Sequence, residues 1–152
     1  MHIDLRFDIK REEMMTKKIL FVCNLNAVRS VLAEYMVNEW FSDRAHAESS
    51  GIIAGSPDGY AAPVAREEGL DIMAHESRYL EDIDCTAFDE IISFSLEAAN
   101  EVARLKLPSS IATYHWEVRD LASIAGSRDE RLILYRGVFA DVKKHLLHPF
   151  KD

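Results

Sequence analysis

Between Phe21 and Glu34 the chain reads Phe-Val-Cys-Asn-Leu-Asn-Ala-Val-Arg-Ser-Val-Leu-Ala-Glu, so a single short stretch carries a thiol, Cys23, and a guanidinium, Arg29. A thiolate is a strong nucleophile, and an arginine side chain is a planar fork that grips two oxygens of one phosphoryl group. The pairing fits covalent attack on a bound oxyanion. Ser30 adds a hydroxyl that can stabilise Cys23 as a leaving group.

That chemistry needs the loop held at a strand-to-helix turn. Lys18 to Val22 is a β-branched and aromatic run, while Val28, Val31, Leu32, Tyr35, Met36 and Trp40 recur at helical spacing. The boundary therefore falls within residues 23 to 30, and the loop opens a helix. Backbone N–H groups at a helix N-terminus lack intrahelical partners and carry partial positive charge. Curled around an anion, they complete a phosphate cradle, and the same field favours the thiolate form of Cys23. The spacing alone is a weak signal, since a cysteine and an arginine fall into this register by chance often enough.

The wider pattern is more specific. The Cys-x-x-Asn-x-x-Arg-Ser loop, continued by Ala33 and Glu34, resembles that of the low-molecular-weight protein tyrosine phosphatases. Glu48-Ser49-Ser50-Gly51 resembles the end of that family's second strand, and Glu68 to Asp71 followed by His75-Glu76-Ser77-Arg78 resembles a later segment. Phe88 to Ile92 resembles its third strand, and Trp116 to Asp120 the approach to its acid-bearing loop. The likeness runs from about residue 17 to residue 147. It implies that Cys23 attacks phosphorus and that Arg29, with the loop from Asn24 through Leu25, Asn26, Ala27 and Val28 to Ser30, binds the phosphoryl oxygens. Asp120 would protonate the leaving group and then activate water. Asn26, Ser30, Ser49 and His75 match the buried polar network that shapes the loop. Without the resemblance, Asp120 is one aspartate among several, and Asp89, Asp129 and Glu130 compete for the acid role. The resemblance implies no metal and no cofactor, and a phosphorylated protein or small aryl phosphate as the partner.

Three departures bear on substrate and activity. Leu25 stands where the family usually has glycine. Val28 replaces a cysteine often found before the arginine, and Val31 and Leu121 replace prolines. Ile52, Ile53 and the stretch from Leu121 to Ile124 stand where aromatic residues often wall the phosphotyrosine cleft. Two alternatives follow. Arsenate reductases share this fold and loop, but they pass oxidation to cysteines after the third strand, near Ser93 to Leu96 here, whereas the second thiol of this chain is Cys85. The other alternative is a phosphate- or phosphopeptide-binding module with weak turnover.

Composition is consistent with an enzyme of this kind. With 152 residues, 48% hydrophobic, the chain fits one domain with a substantial core. A net charge of −8 disfavours general binding to nucleic acid or anionic membrane. Two cysteines, no leader pattern and no long apolar run suggest a cytoplasmic protein; oligomeric state is open. The expected fold is α/β: a single domain over residues 17 to 152, with a four-stranded parallel sheet and helices on both faces. Strands are expected at Lys18 to Val22, Ala47 to Ser50, Phe88 to Ser93 and Ile111 to His115, with a helix over Ala61 to Gly69, another capped by Ser95, and a last one from Asp129. Residues 1 to 16 form an extension in which Ile3, Leu5, Phe7 and Ile9 alternate with polar residues, the pattern of an extra edge strand.

Overall fold

A computed structural model describes residues 16–53, 55, 58–121 and 124–150. Its strands are β1 (Lys17–Cys23), β2 (Ala45–Gly51), β3 (Glu90–Ser93) and β4 (Ala112–His115). Its helices are α1 (Arg29–Trp40), α2 (Ala61–Glu67), α3 (Leu96–Arg104) and α4 (Arg128–Phe150), with short 3₁₀ turns at Leu80–Asp82 and Cys85–Ala87. All strand pairs are parallel, in the order β2-β1-β3-β4. The expected single parallel α/β sheet is what the chain forms. The proposed N-terminal edge strand lies outside the described residues.

The element boundaries follow from where backbone hydrogen bonds go. β3 starts two residues later than the apolar run suggests. Phe88 N–H closes the preceding 3₁₀ turn on Cys85 C=O, and Asp89 N–H reaches Lys18 C=O as the lead-in to the ladder. Ser95 caps α3 by accepting Ala98 N–H at 3.0 Å, as its sequence position predicts.

Two cores lie on the two faces of the sheet. Ile19, Phe21 and Cys23 of β1 and Ile92 of β3 face α1 and α4, meeting Leu32, Met36, Phe139, Val142 and Leu146. Leu20 and Val22 of β1 and Ile91 of β3 face the opposite way, toward Cys85, Phe88, Ala98 and Val102. β1 is buried on both faces, which is why it reads as a continuous apolar run. Cys23 ends β1 at the carboxyl edge of the sheet. The chain turns first to β2 on one side and later to β3 on the other, so β1 adjoins the reversal of strand order where parallel sheets place ligands.

Candidate active site

The loop from Asn24 to Val28 leaves β1 and enters α1, and Val28 at the N-cap makes no side-chain bond to the first N–H groups of the helix. Asn26 turns the loop with φ of 52°, in the left-handed region that asparagine tolerates. Leu25 is absent from the residues of positive φ, so the loop takes a leucine there without backbone strain. The room for it comes from glycine elsewhere. A Cβ on Gly51 would stand 2.8 Å from Asn26 N, and one on Gly55 would stand 2.2 Å from Leu25 O.

Behind the loop lies a buried polar network. Asn26 Nδ2 donates to Ser30 Oγ at 2.9 Å and to Ser49 Oγ at 2.8 Å. Ser49 donates onward to Glu34 Oε1 at 3.0 Å. Because Ser30 Oγ already accepts from Asn26, its own proton is available for Cys23 Sγ, 2.9 Å away. On the other side, Asn26 Oδ1 accepts Arg78 N–H at 3.0 Å and meets His75 Nε2 at 3.0 Å; since that oxygen is an acceptor, the ring nitrogen carries the proton. Ser77 Oγ donates to Asn26 C=O at 3.0 Å, and the Arg78 guanidinium bonds Glu34 and Glu48. The structure thus brings Asn26, Ser30, Ser49 and His75 into one cluster, and adds Glu34, Ser77 and Arg78.

Arg29 is 5% exposed and pinned. One terminal nitrogen donates to Phe94 C=O at 2.9 Å and to Val118 C=O at 3.1 Å. The other lies 3.7 Å from Asp120 Oδ2, whose side chain is half exposed. Cys23, Leu25, Ala27, Val28, Arg29, Asp58 and Asp120 enclose a cavity of about 40 Å³, the scale of one small anion. Asn24 stands outside this lining, its side chain accepting from Ser95 Oγ. Ala27 and Asp58 also border a larger cavity of about 420 Å³ that runs past His75 and Ser77.

Of the rival carboxylates, Asp89 accepts Lys18 N–H beside the amino end of β1, and Asp129 and Glu130 sit in the first turn of α4. Neither location borders the small cavity. Asp58 does, and the sequence reading missed it. Its Oδ1 accepts N–H of Tyr60 and Ala61, and its Oδ2 accepts the Tyr135 hydroxyl. With its acceptor sites on neighbouring donors, Asp58 is a structural carboxylate; burial first, and this hydrogen bond second, push the Tyr135 phenol up. Ile52 packs toward the second core and Ile53 is exposed. Neither lines the small cavity.

A family model described as low molecular weight phosphotyrosine protein phosphatase matches residues 18–148. The chain is 25% identical over 133 residues to a protein of Bacillus subtilis named arsenate reductase, covering 88% of this chain and 94% of that one. It is 26% identical to a solved structure described as the Erwinia amylovora tyrosine phosphatase amsI, with a TM-score of 0.69 over 86% of this chain and 88% of the other. It also shares its fold with a low molecular weight protein tyrosine phosphatase from T. tengcongensis, at 19% identity and a TM-score of 0.71, over 85% of this chain and 94% of that one.

Proposed function

The chain belongs to the low molecular weight phosphotyrosine protein phosphatase family, and on that premise we propose that it is a cysteine-dependent phosphomonoester hydrolase with phosphotyrosine protein or a small aryl phosphate as substrate. The observation that carries the proposal is the anion-sized cavity bordered together by Cys23, Arg29 and Asp120. Cys23 Sγ attacks phosphorus while the P–O bond to the leaving group breaks, and Asp120 gives that oxygen a proton. Arg29 and the loop amides hold the equatorial oxygens, a preorganised form of charge stabilisation. Water then attacks the phosphocysteine, Asp120 takes the proton, and the S–P bond breaks to release phosphate and the thiolate. The Ser30 hydroxyl stabilises that leaving thiolate. Asp120 suits the acid role better than Asp58 because it is half exposed at the cavity, whereas Asp58 is committed to three donors.

Arsenate reduction is the second reading, favoured by relatives that carry that name. It would need a thiol to take over the oxidation. Ser93 ends β3 and Phe94, Ser95 and Leu96 follow it, and Cys85 packs with Leu20 and Val22 on the sheet face away from Cys23.

Hydrolysis of an aryl phosphate in chelator, across pH 5 to 8 and with vanadate, separates these readings. Cys23→Ser should abolish turnover, and Asp120→Asn should lower kcat by about 10² to 10⁴. Vanadate should inhibit the wild type. No hydrolysis, with arsenate-dependent oxidation of thioredoxin, would replace the phosphatase reading with the reductase one; phosphate binding without either turnover would leave a binding module.

A further inference from the structure

The cavity bordered by Cys23, Arg29 and Asp120, at about 40 Å³, has room for a phosphoryl group and little else. The body of a substrate therefore lies outside it. Ala27 and Asp58, two of its walls, are also walls of the cavity of about 420 Å³, a volume within the roughly 300 to 1,000 Å³ of ligand pockets. The cavities of similar volume beside Tyr114 and beside Glu39 share no wall residue with the anion site. The adjoining cavity opens to solvent, since Gly59 and Ser77 are exposed and Met73 is 66% exposed.

The lining chemistry narrows the occupant. Accessible apolar surface comes from Met73 and from Ala27, Ala62 and Pro63, all half-buried, while Val31 and Ile72 are buried and belong to the core. The polar side chains already have partners. The Asn26 amide is engaged on both its atoms, and Ser77 Oγ donates to Asn26 C=O. Both ring nitrogens of His75 face oxygens, Asn26 Oδ1 at 3.0 Å and Glu34 Oε2 at 3.6 Å. Asp58 accepts from Tyr60, Ala61 and Tyr135. Among the described residues, no lysine or arginine lines the cavity. A second anionic group would meet the Asp58 carboxylate with no cation to offset the cost of its burial, whereas an uncharged apolar group meets no such cost.

Building on the phosphotyrosine phosphatase reading, we propose that this cavity is a second substrate pocket, which seats a bulky apolar side chain one or two residues from the phosphotyrosine of a protein substrate. Such residues stand about 4 to 7 Å along an extended chain from the phosphorylated one. One peptide segment thus fills two neighbouring cavities, its phosphoryl group in the small one and its apolar side chain in the large one. Selectivity then comes from apolar contact beside the phosphate, and acidic neighbours are rejected.

Phosphotyrosine peptides carrying Leu, Gly or Glu at each of the two residues on either side test this, by calorimetric binding to Cys23→Ser and by kcat/KM on the wild type. At one position or more, Leu should be preferred to Gly by about tenfold or more, with Glu below Gly. Adding Met73→Glu, at the exposed mouth, or Ala62→Phe, which fills the cavity from α2, should reduce that preference to about twofold or less. Equal binding of the three peptides at every position overturns the proposal, as does a Leu preference that survives Met73→Glu, whose exposed site leaves the fold unaffected. Binding decides the pocket independently of turnover. Leu selectivity in Cys23→Ser with no hydrolysis by the wild type keeps the pocket and removes the hydrolase reading, whereas hydrolysis without Leu selectivity does the reverse.

Discussion

The Asn26 amide donates to two hydroxyls, accepts from Arg78 N–H and meets His75 Nε2, all from a left-handed backbone. Asn26→Ala loses these bonds and adds strain at a positive φ, so it should cost about 2 to 4 kcal/mol in urea unfolding. Asn26→Gly relieves the strain only, and should recover part of that stability while activity stays low. Ser30→Ala is a finer probe: the fold should survive, KM should change little, and kcat should fall by about 10-fold to 100-fold, because the lost hydrogen bond matters when Cys23 leaves phosphorus. Asn26, Ser30, Ser49 and His75 were legible because their spacing resembles a known loop. Asp58 was not, because an aspartate two residues before the N-cap, accepting N–H groups of Tyr60 and Ala61, reads the same whether it faces solvent or an anion site. Only the packing of α2 beside α4, where Tyr135 reaches Asp58, brings it to the cavity wall.

At the scale of elements, the loop depends on how closely β2 passes beneath it. Gly51→Ala would drive a Cβ into the Leu25–Asn26 backbone and should cost about 1 to 3 kcal/mol and weaken phosphate binding. Gly59→Ala is the matched control, since nothing lies within 4 Å of its Cβ position, and it should leave both quantities nearly unchanged. Calorimetry with and without phosphate measures both. β1 and the apolar stripe of α4 were plain in the sequence: Leu132, Tyr135, Phe139, Val142 and Leu146 recur at helical spacing, the last four are buried and Leu132 is partly buried. The close passage at Gly51 was not, because a glycine ending a strand carries no local sign of what crosses above it.

Across the whole molecule, the two cores meet different fates at the site. Phe94, fully buried, stacks on Phe21 at 5.7 Å, packs edge-on to Trp116 at 6.0 Å and lends its carbonyl to Arg29. Phe94→Leu should lower stability by about 1 to 3 kcal/mol and also raise KM, a coupling that a purely structural core position would lack. On the other face, burial first and Asp84 second push the Cys85 thiol up, which keeps it protonated at neutral pH. In Cys23→Ser, where Cys85 is the remaining thiol, iodoacetamide at pH 7 should react about tenfold or more slowly than in urea. The pinned arginine has a consequence in time as well as energy. Arg29 is already fastened to carbonyls after β3 and after β4, so anion arrival need not wait for a side chain to swing inward. Stopped-flow mixing with vanadate should give one exponential whose rate climbs linearly with concentration, with no plateau from a slow isomerisation.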